Sequence, residues 1–257
     1  MAKTDLFFST PIMNAAGILG FSPDPKTPVD ISQFGTFVTN PVSLTPRTPA
    51  KGVRYLPFSG GFLLHTGYPN PGLKVVLRGH ARRWARSPVP VIVHLLVQDA
   101  NTLGKMVQRL EGVEGVMGIE IGLPPDIDPS QLQELVQAAI GELAVIVRLP
   151  FEAVAGTRAN TPLLDTLTGS GASAISLAPP RGTLATPDGN LISGRLYGPS
   201  LFPLVLAAVV KLAGFGLPVI AAGGVYSQND IEILLSAGAT AVQLDAVLWR
   251  SEPVFCF

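Results

Sequence analysis

Cysteine is almost missing from this 257-residue chain: Cys256, next to the C-terminal residue, is the single one. That excludes an internal disulfide framework and a cysteine metal cluster. Histidine is nearly as scarce, and His65, His80 and His94 stand too far apart for metal-ligand spacing, so no metal is expected. Charge is thin as well. Charged residues make up 14% of the chain, and 18 basic side chains balance 18 acidic ones. Such a balance leaves no electrostatic footprint for nucleic acid or for an anionic membrane. The basic segment with Lys74, Arg78, Arg82, Arg83 and Arg86 has no aromatic stacking platform beside it and reads as a solvated helix face. Met1 to Asp5 lacks the layout of a signal peptide. A membrane helix needs about 20 apolar residues in a row. The stretch 201–225 fails that test at Lys211, Gly214, Gly216 and Pro218. A cytoplasmic protein with a small-molecule substrate is the expectation.

What the chain does have is apolar residues in short runs, punctuated by 27 glycines and 24 prolines. Pro218 to Val225 is such a run, ending in Gly223-Gly224 and followed by Ser227-Gln228-Asn229-Asp230 and a periodic apolar segment. This spacing predicts a buried parallel strand, a tight turn and a capped helix. A second strand follows at Gly238 to Leu244 and closes at Asp245-Ala246. Upstream, Phe37 to Thr39, Val91 to Val97, Val116 to Ile121, Ala144 to Leu149 and Ala172 to Leu177 repeat the strand signal, with helical periodicity between them. Ser130 is the expected cap of one such helix, over 131–140. Alternating strands and helices imply a parallel sheet, and counting from a first strand at Asn14 gives eight, which favours a closed (β/α)8 TIM barrel spanning 1–257 as one domain.

Three departures from a plain barrel are expected. Leu6-Phe7-Phe8 and Pro11-Ile12-Met13 predict an N-terminal hairpin beneath the barrel. Residues 43–72, rich in proline and glycine, predict a long functional loop, and Thr186 to Asn190 predicts a hairpin turn. After the eighth strand there is too little sequence for a full last helix. Either the sequence is truncated there, or a second copy in a homo-oligomer or a partner subunit covers that face, and the apolar end Pro253 to Phe257 favours a covered face.

The order of motifs resembles the dihydroorotate dehydrogenase family of FMN-dependent barrels. Pro11 to Gly17 is similar to its opening motif. Thr36 to Asn40 with Leu44 to Arg47 is similar to its second-strand motif, and Gly67 to Gly72 to its substrate loop. Tyr197-Gly198-Pro199, Gly223-Gly224-Val225, Asp230 and Gly238-Ala239 match its C-terminal third. The resemblance implies FMN as cofactor. It places Ala15, Ala16, Gly17, Asn40, Arg148, Gly198, Gly223, Gly224 and Ala246 against it, and His65, Thr66 and Gly67 near the substrate.

The functional positions diverge from the family. Asn40 stands where the family has a lysine, Leu64 where its substrate loop has an asparagine, and Leu123 where it has a catalytic cysteine or serine. Leucine cannot be a general base. Arg148 replaces the lysine that faces the flavin, Ala178-Pro179-Pro180 replaces amides, and Asp245 precedes Ala246 where a phosphate would lie. A pocket lined by Leu64, Leu123, Pro125 and Pro179 would leave the polar groups of orotate unpaired, at about 1–3 kcal/mol each. The resemblance thus implies a flavin oxidoreductase with an altered substrate. Two other readings stay open: a non-catalytic barrel acting as a subunit or binding protein, and a cofactor-free enzyme on a phosphorylated substrate. Glu120 and Arg148 end adjacent strands and are the candidate catalytic pair, with Glu120 as acid or base. They could equally be a buried ion pair.

Overall fold

The computed structural model describes residues 6–97, 99–155 and 161–250. Eight parallel strands form the barrel: β1 (Ile12–Asn14), β2 (Phe37–Val38), β5 (Val91–Leu96), β6 (Val116–Gly122), β7 (Ala144–Leu149), β8 (Ala174–Leu177), β11 (Val219–Ala222) and β12 (Ala241–Leu244). Their order is β1-β12-β11-β8-β7-β6-β5-β2. The ring closes between the shortest two strands through a single bridge, Met13 to Thr36. There Asn14 completes what the ladder lacks. Its buried side-chain amide donates to the Val38 carbonyl at 2.6 Å and accepts from the Val38 N–H at 3.0 Å. One side chain thus supplies both bonds that a longer backbone pairing would have made.

Helices α1 (Leu73–Trp84), α2 (Ala100–Leu110), α3 (Pro129–Ala139), α4 (Thr161–Thr168), α5 (Phe202–Leu212) and α6 (Gln228–Ser236) pack outside the ring. Their starts follow from capping chemistry. Asp99 caps α2, and Ser227 with Asp230 forms a capping box on α6. The cap of α3 is Asp128, not Ser130: Asp128 and Gln131 form the capping box, and Pro129 takes the first helical position, where its missing N–H costs nothing.

Leu6, Phe7 and Phe8 carry no strand, so the expected hairpin is replaced by an irregular lead-in, and Ile12–Asn14 belongs to the barrel itself. After β12 the described chain makes one 3-10 turn, Ala246–Trp249. The apolar stretch 253–257 lies outside the described residues.

The two long loops hold a second sheet. Strands β3 (Tyr55–Phe58) and β4 (Gly61–Leu64) rise from the connection after β2, and β9 (Arg181–Ala185) and β10 (Leu191–Tyr197) from the connection after β8. They pair antiparallel in the order β3-β4-β10-β9. The turn between β9 and β10 is the one expected at Thr186 to Asn190, closed by the Thr186 N–H donating to the Asn190 carbonyl. Gly198 serves this sheet. Its φ is +140°, and a Cβ there would sit 2.3 Å from the Gly60 carbonyl.

Side chains inside the barrel form layers, because residues two apart on a strand face the same way. Met13, Val38, Ile92, Ile146, Ala174, Ile220 and Ala241 fill the lower interior. Two residues on, four of these strands place His94, Arg148, Ser176 and Gln243 above that floor, and all four are buried.

Candidate functional site at the barrel mouth

Glu120 of β6 lies at the centre of this upper layer and is fully buried. Its Oε2 accepts from His94 Nδ1 at 2.6 Å and faces Arg148 Nη1 at 3.4 Å. Its Oε1 accepts from Ser176 Oγ at 2.6 Å and Gln243 Nε2 at 2.8 Å. Five strands thus converge on one carboxylate. Burial opposes its ionisation, but the Arg148 charge and the His94 and Ser176 hydrogen bonds outweigh that and hold its pKa down at about 2. Burial also lowers the pKa of His94, which is therefore a neutral donor rather than an ion-pair partner. A carboxylate so fully engaged is a poor proton shuttle, and its geometry suits an anchor for Arg148 better than the acid or base role expected of it.

Above this layer lies a cavity of about 520 Å³ under the second sheet. Ala16, Gly17 and Asn40 line one side, Arg148 forms part of the floor, and Tyr197, Phe62 and Trp249 supply aromatic walls. Phe62 stacks on Tyr197 at 5.5 Å and on Trp249 at 6.2 Å. Trp249 is tied down by its Nε1–H, which donates to the Ile18 carbonyl at 3.0 Å. Arg195 of β10 closes another side. It donates to Thr66 Oγ1 and to the Tyr197 hydroxyl, and lies 3.9 Å over the Tyr68 ring. Tyr68 pays for this with a left-handed backbone, φ +54°.

Several expected residues meet here. Ala16, Gly17, Asn40, Thr66 and Arg148 all line the cavity. Ala15 does not; it is buried, and its N–H donates to the Leu244 carbonyl. His65 points to the sheet edge, where Nδ1 bonds the Ser193 carbonyl at 3.0 Å, and Gly67 accepts from Arg47. Neither borders the cavity. Of the four residues expected to make it apolar, Leu64 alone lines it; Leu123 packs against the outer core, Pro125 is exposed and Pro179 is buried elsewhere. Sequence reasoning missed Phe62, Tyr68, Arg195 and Tyr197, although the Gly67 to Gly72 motif held a signal. Its Asn70 is buried, with Oδ1 accepting from Gly72 N–H and Nδ2 donating to Ser43 Oγ, which fixes the loop that carries Tyr68.

The turn after β11 and the segment after β12 form a separate group. Gly223 and Gly224 have φ of +104° and +73°, which favours glycine, and Gly224 abuts the start of α5. Gly223, Gly224, Asp245 and Ala246 are all buried, and none lines the cavity. Asp245 is 2% exposed, and neither carboxylate oxygen has a hydrogen-bond partner. Burial raises its pKa to about 6, although the nearby Ala246 and Val247 N–H groups and Arg148 favour its charged form.

A closed eight-stranded ring with a roofed cavity over the C-terminal ends of its strands defines a (β/α)8 barrel. The model of one family, described as Dihydroorotate dehydrogenase, matches residues 2–143. The catalytic subunit of dihydroorotate dehydrogenase B (NAD(+)) from Geobacter sp. strain M21 is 30% identical over 268 residues, covering 95% of this chain and 85% of the relative. The proteins of the same name from Citrifermentans bemidjiense and Desulforudis audaxviator are 29% and 26% identical, over 95% and 94% of this chain and 85% and 84% of their own. The chain belongs to the dihydroorotate dehydrogenase family.

FMN, the cofactor this family implies, has a planar ring end and a phosphate end. The ring end fits. The cavity is flat-walled and aromatic, and Arg148, itself 7% exposed, has a buried Nε–H without a hydrogen-bond partner. The phosphate end does not fit. In barrels of this kind the phosphate lies by the loops after the seventh and eighth strands. Here Gly223, Gly224 and Ala246 are buried, and the buried Asp245 carboxylate stands beside the turn. Among the described residues no helix is long and apolar enough to cross a membrane.

Proposed function

We propose that the chain is a flavin-dependent oxidoreductase of this family whose substrate is not dihydroorotate. The observation that supports this most is Arg148. It is a cation at the cavity floor, faced by Glu120, with a buried Nε–H that has no hydrogen-bond partner. A fixed cation there favours an electron-rich heterocycle that gains negative charge. A bound flavin would supply the redox chemistry. The residues of the chain would hold it: Arg148 beneath, Asn40 and the Ala16-Gly17 backbone at one edge, and Thr66, Tyr68 and Arg195 on the substrate side.

Among the described residues, the cavity lining contains no carboxylate, histidine, cysteine or serine. Leu123, in the position that resembles the family's catalytic one, has no group that can take a proton, and the described lining offers only the hydroxyls of Thr66, Tyr55, Tyr68 and Tyr197 in its place. The same gap favours a second reading, a binding subunit without turnover. The relatives are named catalytic subunits, and we extend to this chain an assembly with a partner subunit or a second copy. A cytoplasmic location is part of the same proposal.

The visible absorption spectrum of purified protein, before and after added FMN or riboflavin and desalting, tests the flavin reading. A retained flavin band that bleaches with a reductant and returns in air supports an oxidoreductase. A band that no reductant bleaches favours the binding subunit. A colourless protein that retains neither flavin removes both flavin readings.

A further inference from the structure

We infer that the barrel's phosphate place is closed by the chain's own carboxylate, Asp245, and that the site selects a flavin, or a similar planar heterocycle, without a terminal phosphate. The inference rests on the flavin reading above and narrows it.

Three observations converge on this. The first is position. Asp245 directly follows β12, the eighth barrel strand, and its Oδ2 lies 3.9 Å from where a Cβ on Gly223 would be. The carboxylate therefore stands between the two loops that hold phosphate in barrels with such a site. The second is closure. Gly223, Gly224, Asp245 and Ala246 are all buried. The Cβ position of Gly223 is 3.3 Å from Val205, and that of Gly224 is 2.4 Å from the Phe202 nitrogen, so α5 packs tightly onto this turn. Little room is left on the α5 side of this turn. The third is charge. Both Asp245 oxygens lack partners. Tyr226 stands near enough that Asp245 adds to the burial that raises its phenol to about 12. The neutral phenol adds no positive charge; the cations whose charge reaches this group are Arg148, acting on Asp245, and Arg250, acting on Tyr226, and neither bonds a carboxylate oxygen of Asp245.

Arg148 favours the charged form of Asp245 but makes no hydrogen bond to it. It belongs to the floor of the cavity and faces Glu120 at 3.4 Å. A phosphate beside Asp245 would set two anions against each other at low dielectric, where repulsion is least screened. A tail that ends before this place carries no such penalty.

The test compares equilibrium binding of riboflavin and of FMN to the intact protein, read by quenching of flavin fluorescence. Riboflavin is expected to bind at least as tightly as FMN. Asp245→Asn is expected to shift the ratio of the two dissociation constants toward FMN by roughly tenfold, the factor that corresponds to about 1.4 kcal/mol. FMN binding at least tenfold more tightly than riboflavin to the wild-type protein would overturn the inference and leave the flavin reading intact. An Asp245→Asn variant with an unchanged ratio would also overturn it. Binding of neither flavin would bring down the flavin reading and the inference with it. The wild-type comparison needs no variant, so it decides even if the substitution impairs folding.

Discussion

Replacing Glu120 with alanine removes the acceptor for His94, Arg148, Ser176 and Gln243 in one step. Arg148 would then be a charge at 7% exposure without a counterion. Breaking a buried ion pair from one side costs about 3–5 kcal/mol. Stranding the buried Ser176 and Gln243 donors adds to that, and water entering the vacated space takes some away. We expect a net loss of about 4 kcal/mol, which at a urea slope of about 3 kcal/mol/M lowers the midpoint by roughly 1 M. Glu120→Gln keeps the shape without the charge and should fall between.

The pH dependence gives an independent check. The folded pKa of Glu120 is about 2, against an ordinary value of 4.5. Because the folded pKa is lowered, the stability it contributes is complete above the ordinary value and is lost as pH falls toward 2. The contribution is about 3 kcal/mol. Acid unfolding should therefore be steeper in the wild-type protein than in Glu120→Gln, as read by far-ultraviolet circular dichroism from pH 6 down. Glu120→Ala lowering the urea midpoint by less than about 0.3 M, or an identical acid limb in Glu120→Gln, would refute the anchoring argument.

Asn14→Ala should cost about 2–4 kcal/mol, since it strands the Val38 N–H and carbonyl inside the barrel seam, and amide hydrogen exchange at Val38 should accelerate. Asp245 works opposite to Glu120. Its folded pKa is raised from 3.8 to about 6, so ionising it costs stability as pH rises through that window. The wild-type protein should gain stability as pH falls from 7 to 5, while Asp245→Asn should be flatter there and about 1–2 kcal/mol more stable at pH 8. Urea titrations across that range measure both.

The barrel was legible in the sequence where strands are long and apolar. β5, β7 and β11 are buried on both faces, so their runs stand out without any partner being known. The Thr186 to Asn190 turn was legible because its chemistry is local. The roof was not. β3 contains Pro57 and has mixed burial, and β4 pairs with β10 across about 130 residues of chain, as in Leu64 with Arg195. Nothing near Tyr55 or Phe62 records that pairing, so the residues that the roof turns toward the cavity were missed with it. Glu120 was expected at the mouth; it lies in the buried layer beneath the cavity, and its role depends on side chains from four other strands. Asn14 was read for the small residues after it, whereas the barrel uses its amide as a missing piece of ladder.

The roof also bears on the order in which the chain folds. Its two hairpins leave the barrel after β2 and after β8, and their shared edge, β4 with β10, has nothing to register against until those strands are side by side. Contacts so distant in sequence form after the local ones, because the loop they close must first lose its freedom. The ligand cavity is therefore among the last parts of the molecule to exist, and the outermost ladder of the protein is the first that thermal opening would undo.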